Sequence, residues 1–421
     1  MLTMAHRTSF TFLSVILLLA AVSCPGLQAQ TQKKTPKAVF IIVDGIPADV
    51  IGKLNPPGLA TIAKEGGFTQ AYVGGTTGGY NQTPTISAPG YIDLLAGVWG
   101  NKHNVWDNDI AAPNYHYWNI FRIAETVNPA LKTAVFSTWL DNRTKLIGEG
   151  LPAAGAIKLD YAFDGFENDT IKYPHDKPRN FIRNIDDAVT AEAAGYIATQ
   201  APDLSWVYLE YTDDMGHGFG DSPQFYDAIK GADARIKKIW DATQLREKNF
   251  NEDWLIVITT DHGRDATTGK NHGGQSARER TTWIATDSKN LNAHFKQQPA
   301  IVDILPSICN HLNLTIPTEV QKELDGVPFI GPVDIADLHA EKKGDQIVLT
   351  WKSLSKDKTA LEISVTESNH FKEGGSDAYT QVGTASIGQQ SFSFTPKTQS
   401  GFYKILVKSA HQYTNTWVVE P

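Results

Sequence analysis

Four short apolar runs set the fold of this chain. Lys37-Ala-Val-Phe-Ile-Ile-Val-Asp44, Thr133–Phe136, Trp206–Tyr211 and Trp254–Thr260 consist almost wholly of aliphatic, β-branched and aromatic residues. They lack the alternation of a half-exposed strand, so each has to be covered on both faces. Helical spacing appears at 185–199, 226–243 and 301–312. Buried strands alternating with helices specify an α/β domain with a mostly parallel sheet flanked by helices. With 421 residues, 41% of them hydrophobic, the chain can bury a large core, which excludes disordered and collagen-like architectures. Such sheets bind ligands beyond the carboxyl ends of their strands. The residues that follow each run are therefore where chemistry is expected.

The pattern changes near Val333. Gln346–Trp351, Leu361–Val365, Ser391–Phe394 and Tyr403–Val407 are short alternating runs separated by turn residues, with no helical period. This division predicts a catalytic domain over 34–332 and a β-sandwich over 333–421. The Leu349-Thr-Trp351 step and the Tyr403–Ala410 strand resemble a fibronectin type III domain; an unrelated all-β module is the other reading. At the amino end, His6 and Arg7 precede the apolar run 10–22, and Leu27-Gln28-Ala29 offers a small-residue cleavage site. Residues 1–29 read as a secretory leader, too short for a comfortable membrane span, so a secreted or periplasmic protein is expected. Lipid anchoring through Cys24 is the rival, weakened by Ala21 at the third position before it. Without the leader only Cys309 remains, so the fold relies on its core rather than a disulfide. No other stretch is long enough to span a bilayer. The net charge of -8 and the lack of any Lys/Arg-rich run argue against nucleic acid as a stable partner.

Three of the four runs lead into metal-type ligands. Asp44 ends the first; Asp213 and His217 follow the third; Asp261 and His262 follow the fourth, with His272 shortly after. Singly, an Asp at a strand end is often a helix cap, and a lone His packs or sits on the surface. Together they place three carboxylates and three imidazoles on one face. Mixed Asp/His sets suit Zn²⁺ or a similar divalent cation, and six ligands exceed one tetrahedral site. Two metals are the natural reading, and two-metal sites catalyse in-line displacement at phosphorus. Upstream, Pro84-Thr-Ile-Ser87-Ala-Pro89 places Ser87 at the start of a helix that runs through Leu95, where a phosphate is favoured. Ser87 either caps this helix or, beside a dinuclear site, is the nucleophile, since a metal lowers the pKa of a serine hydroxyl.

These residues resemble the type I phosphodiesterase / nucleotide pyrophosphatase family of the alkaline phosphatase superfamily. The resemblance covers about 38–329 and rests on Val43-Asp44-Gly45, Pro84–Pro89, Asp213-Asp-Met-Gly-His217 and Asp261-His262-Gly263. It implies an alkaline-phosphatase-like sheet. It further implies one Zn²⁺ held by Asp44, Asp261 and His262 and bridged to Ser87, and a second held by Asp213, His217 and His272. Asn108 stands where the family places an Asn that binds a phosphoryl oxygen. The substrate would be a small-molecule phosphate ester, cleaved through a phosphoseryl intermediate.

Departures from the family bear on that substrate. The nucleophile is Ser rather than Thr, and Ala88 replaces the aromatic that stacks a base in nucleotide-cleaving members. Tyr208 is the remaining candidate for a base clamp, although strand tyrosines are often simply packed. A sulfatase reading fails because no Arg follows Ser87-Ala-Pro-Gly, and the Ser-Glu signature of cofactor-independent phosphoglycerate mutase is absent. Alkaline phosphatases use a Lys-x-Arg pair for the extra charge of a monoester. The corresponding loop has Trp139, as in diesterases, and only the reversed Arg143-Thr-Lys145. Lys177-Pro-Arg179 has the right pattern further on and keeps a monoesterase as the alternative. A catalytically inactive binding protein is the third reading, disfavoured because every ligand position is filled.

Overall fold

Strand β1 (Thr35–Val43) is the spine of the fold, buried along all but its first two residues. The computed structural model describes residues 1–4, 33–356 and 358–420; the expected leader, its cleavage site and Cys24 lie outside these residues apart from 1–4. Beside β1 run β2 (Gly67–Tyr72), β3 (Thr133–Ser137), β4 (Tyr161–Phe163), β5 (Leu204–Leu209), β6 (Glu252–Thr259) and β7 (Thr281–Thr286). The sheet order is β2-β7-β6-β1-β5-β3-β4. The five strands from β6 to β4 are parallel, while β7 and β2 close one edge antiparallel.

Period-two alternation sorts the side chains of the sheet into two cores. Phe40, Ile42, Trp206 and Tyr208 face a layer that includes helices Ser87–Ala96 and Ile304–His311. Val39, Ile41, Val207 and Leu209 face helices Asn180–Gln200 and Pro223–Asn249. Burial on both faces is why the central strands read as unbroken apolar runs. β5 ends at Leu209, two residues earlier than its apolar run suggests, and Tyr211 opens the helix Tyr211–Phe219. The buried Asp186 carboxylate causes the turn by accepting the amides of Glu210 and Tyr211, both at 3.1 Å. The expected 301–312 helix is instead a 3₁₀ turn, Ile301–Asp303, followed by Ile304–His311. Asp303 takes the Ala300 and Val327 amides at 2.7 Å each and fixes that entry.

The C-terminal strands are β8 (Ile335–Lys343), β9 (Gln346–Ser353), β10 (Ala360–Thr366), β11 (Thr380–Ser386), β12 (Ser391–Phe394), β13 (Phe402–Lys408) and β14 (Tyr413–Val419). They form two antiparallel sheets, β11-β10-β13-β14 and β12-β9-β8. Leu349, Trp351, Ile363, Tyr403 and Ile405 lie in the core between them. This part is tied to the α/β part by buried charge. Lys404 Nζ bonds Glu323 at 2.7 Å, and Lys102 Nζ bonds Asn415 at 2.9 Å and Asp325 at 2.6 Å. Among the described residues no helix is long and apolar enough to cross a membrane.

Candidate metal centre and nucleophile

Parallel register delivers the ligands to one end of the sheet. Ile42 pairs with both Tyr208 and Thr259, so the residues that follow β1, β5 and β6 emerge side by side. Asp44, Asp261 and His262 come together at the base of this end, each no more than 2% exposed. His262 Nε2 lies 3.4 Å from Asp44 Oδ1, 3.3 Å from Asp261 Oδ2 and 3.5 Å from Ser87 Oγ. Its Nδ1 donates to the Gly263 carbonyl at 2.9 Å, which leaves the Nε2 lone pair facing the carboxylates. Asp44 Oδ1 and Asp261 Oδ2 are buried and accept no hydrogen bond. Two orphaned carboxylate oxygens and an imidazole lone pair converging on one point is an arrangement that a cation would satisfy. The donor set fits a divalent metal, and the three ligand atoms lie within 4.8 Å of one another.

The electrostatics express the same unmet demand. Burial, then the neighbouring Asp261 and Asp213 charges, hold the Asp44 carboxyl far above its ordinary range. Burial, then Asp213, push Asp261 up to about 7. Burial, then His272, keep His262 well below the usual imidazole value, so it stands ready as a neutral ligand.

Beside this group, Asp213 and His217 project from the first turns of helix Tyr211–Phe219, four residues apart and hence on one face. His217 Nε2 lies 3.2 Å from Asp213 Oδ2 and 3.1 Å from His272 Nε2. His272 donates Nδ1 to the Thr85 carbonyl at 2.9 Å, and its ring stacks on His262 with centroids 3.7 Å apart. A second set of cation-type donors therefore adjoins the first: Asp213, His262 and His272 also lie within metal-ligand reach of one another. The Asp213 carboxyl behaves differently from Asp44 and Asp261. Burial pushes it upward, but the His217 hydrogen bond and the Arg264 guanidinium outweigh burial and hold it well below the carboxylate range.

Ser87 is the first residue of helix Ser87–Ala96, whose N-cap is Ile86 with no side-chain cap. Its hydroxyl is thus not consumed in capping, and its side chain meets His262. Asn108 Oδ1 accepts the Ala88 amide at 2.9 Å, an arrangement that turns its Nδ2 donors outward. Ser87 and Asn108 line an open cleft of about 230 Å³ with Asp44, Tyr91, Trp139, Tyr208, Glu210 and Asp213. Trp139 stands edge-on to Tyr91, with centroids 6.2 Å apart.

Three residues have roles that their sequence context did not reveal. Tyr91, one helical turn after Ser87, donates its hydroxyl to Asp44 Oδ2. Tyr208 donates to the same oxygen at 2.7 Å, so the candidate base clamp is a 2%-exposed support of a ligand. Arg264 is wholly buried and bonds Gly45 O, Lys270 O and Asp213. Neither Lys177 nor Arg179 lines the cleft itself, although Arg179 bonds Glu210, which does. Lys177 is exposed, and Arg179 is spent on Asp214 at 2.8 Å and Glu210 at 2.9 Å.

The family model described as type I phosphodiesterase / nucleotide pyrophosphatase matches residues 38–345. Human ectonucleotide pyrophosphatase/phosphodiesterase family member 5 is 25% identical over 263 residues, which are 60% of this chain and 50% of that protein. The chain thus spans about half the length of this curated relative. The solved structure of the same human protein covers 67% of this chain and 96% of its own, at 15% identity and a TM-score of 0.48. A Bacteroides thetaiotaomicron chain, described within a core genetic locus for metabolism of multiple glycosaminoglycans, covers 90% of this chain and 85% of its own. Its identity is 14% and its TM-score 0.51, a likeness of fold.

Proposed function

The chain belongs to the type I phosphodiesterase / nucleotide pyrophosphatase family, whose members hydrolyse phosphate esters, and from that premise we propose a secreted or periplasmic dinuclear-metal phosphodiesterase. Asp44, Asp261 and His262, with Ser87, would hold one cation; Asp213, His217 and His272 would hold the other. Zinc suits this mixture of carboxylate and imidazole. When bound, such cations supply Lewis acidity and lower the pKa of an attacking oxygen.

The protein's own groups do the rest. Ser87 Oγ attacks phosphorus in line, the ester oxygen leaves, and a phosphoseryl intermediate forms on the chain. Water then hydrolyses that intermediate and restores the serine. Asn108 Nδ2 donates to a phosphoryl oxygen as negative charge builds, fixed in aim by the Ala88 amide on its Oδ1. Tyr91 and Tyr208 hold Asp44 in orientation through their two hydroxyls. Trp139 forms part of the cleft wall.

One observation favours a diester over a monoester: among the described residues, no Lys or Arg lines the cleft, while Glu210 does. A monoester dianion needs cations beyond the metals. The cations of the neighbouring loops already have acidic partners: Arg143 has Asp164 and Glu149, Lys145 has Asp141, and Arg179 has Asp214 and the cleft residue Glu210. A strong preference for nucleotides is not expected either, because Ala88 is fully buried and presents no face to a base. The test is the ratio of kcat/KM for bis(p-nitrophenyl) phosphate and p-nitrophenyl phosphate. A ratio well above one is expected. A monoester preference that Arg179→Ala selectively abolishes would replace this reading with a phosphomonoesterase.

For 333–421, a fibronectin type III type of sandwich is supported by strand order and by one corner. Tyr403, at the start of β13, donates its hydroxyl to Thr398 O at 2.9 Å, five residues back across the turn, as the tyrosine corner of that architecture does. A boundary near 333 would leave all six proposed ligands in the α/β part.

A further inference from the structure

Arg264 is the residue of the centre with no counterpart in the chemistry described so far. It follows the Asp261-His262-Gly263 turn and is fully buried, yet it packs against the ligands rather than against solvent or a surface acid. Nε donates to Gly45 O at 2.9 Å, Nη1 to Lys270 O at 3.0 Å, and Nη2 to Asp213 O at 2.8 Å as well as to Asp213 Oδ1. Its path is cut through two glycines. A Cβ on Gly216 would come 2.2 Å from the guanidinium carbon, and one on Gly45 would come 2.7 Å from Nη2. Gly45 also holds φ +66°, where a side chain would be strained in addition.

The guanidinium thus clasps the three segments that carry the ligands: 44–45, 213–217 and 262–272. Arginine suits this role because its planar fork satisfies several acceptors while its charge persists at any working pH. The electrostatic consequence falls unevenly. Asp213 meets Arg264 through Oδ1 and His217 through Oδ2, so a cation held there must sit beside a fixed positive charge. Asp44 and Asp261 carry no such partner, and each keeps a buried oxygen with no hydrogen bond.

We propose that Arg264 is a positioning residue that makes the two metal positions unequal, with tight binding at Asp44/Asp261/His262 and weak, exchangeable binding at Asp213/His217/His272. The idea rests on the dinuclear reading and sharpens it. The chain would keep one metal through purification and fill the second only as the free concentration rises. Removing the charge while keeping the bulk should tighten the second position without touching the first.

The experiment is equilibrium dialysis of the purified full-length protein against graded zinc buffers, with bound metal counted by mass spectrometry. The expected isotherm has two steps separated by at least tenfold in free zinc. Arg264→Met should move the upper step at least tenfold toward tighter binding and leave the lower step in place. Arg264→Lys, which keeps the charge, should leave both steps within a few-fold of the parent. Two metals taken up in one step by the parent protein would overturn the proposal even if the Met variant failed to fold, while leaving the dinuclear reading intact. Equal weakening of the upper step in both variants would also overturn it, since Arg264 would then be only a brace for the loops. No zinc bound at all would instead sink the metal-dependent reading of the site.

Discussion

The two ligand groups sit side by side, yet they meet their charge in opposite ways. Asp44, Asp261 and His262 are shut away from solvent, and the carboxylates face each other without a cation from the protein. Asp213, His217 and His272 lie nearer the surface, with the His217 side chain 46% exposed, and the protein supplies Arg264 as a built-in counter-charge. Buried carboxylates must be paired, coordinate a metal or take up a proton. On the proposed reading the first group depends on its metal, whereas the second can stand partly neutralised without one. The first group should carry the nucleophile's chemistry, and the second should modulate it.

Removing the nucleophile gives the largest effect and tests which group holds the reaction. Ser87→Ala should lower kcat for bis(p-nitrophenyl) phosphate by on the order of 10³ or more while bound metal stays unchanged. Ser87 touches His262 of the first group and makes no contact with the second that would unseat it. Near-parental turnover in this variant would mean that water attacks phosphorus directly.

Cutting each group in turn gives the next effect. Asp261→Asn removes a charge from the group that has no internal substitute and should cost about 10²-fold or more in kcat/KM, with loss of bound metal. His217→Gln removes a half-exposed ligand from the group already held by Arg264. A smaller loss, about tenfold, is expected, with recovery as zinc is raised. Equal losses from the two variants, neither recovered by zinc, would erase the distinction between the groups.

How much of this was legible beforehand follows the same physical division. The clustering of the six candidate ligands could be read because they follow apolar runs, and parallel register does the gathering. Central strands announced themselves through two-sided burial. The antiparallel strands did not: the edge strand β2, Gly-Phe-Thr-Gln-Ala-Tyr, has only Ala71 buried, and β7, between β2 and β6, follows directly on the helix Ala277–Arg280. Tyr91 was hidden because a tyrosine one turn into an apolar helix looks like packing. Arg264 was hidden because a lone Arg after a turn looks like a surface cation. Its signal lay elsewhere in the sequence, in the glycines at 45 and 216 that clear its path. The partners of the 177–179 pair could not be read because spacing says nothing of them; Arg179 pairs with Asp214 and Glu210.

The smallest effect isolates burial itself. Asp287 follows β7 and, like Asp261, is pushed up to about 7 chiefly by burial, but it is not one of the six ligands and accepts the Ile256 amide at 3.0 Å. It is the control for what a low-dielectric pocket does to a carboxylate with no metal to answer it. Its folded pKa is raised, so between its ordinary value of 3.8 and about 7 the folded chain holds a proton that the unfolded chain has released. Stability from this group is therefore present at low pH and is lost as pH rises through that window. Asn at 287 can still accept the Ile256 amide and has no charge to bury. The difference in unfolding free energy between Asp287→Asn and the parent should grow in favour of the variant from pH 5 to pH 8, by about 1–3 kcal/mol. Denaturant unfolding at the two pH values, at one fixed zinc concentration, measures that double difference and cancels groups common to both proteins. A flat difference would mean that burial alone does not raise a carboxylate in this fold. The high value at Asp261 would then have to come from the Asp213 charge beside it, and the contrast between the two ligand groups would rest on charge crowding rather than on depth.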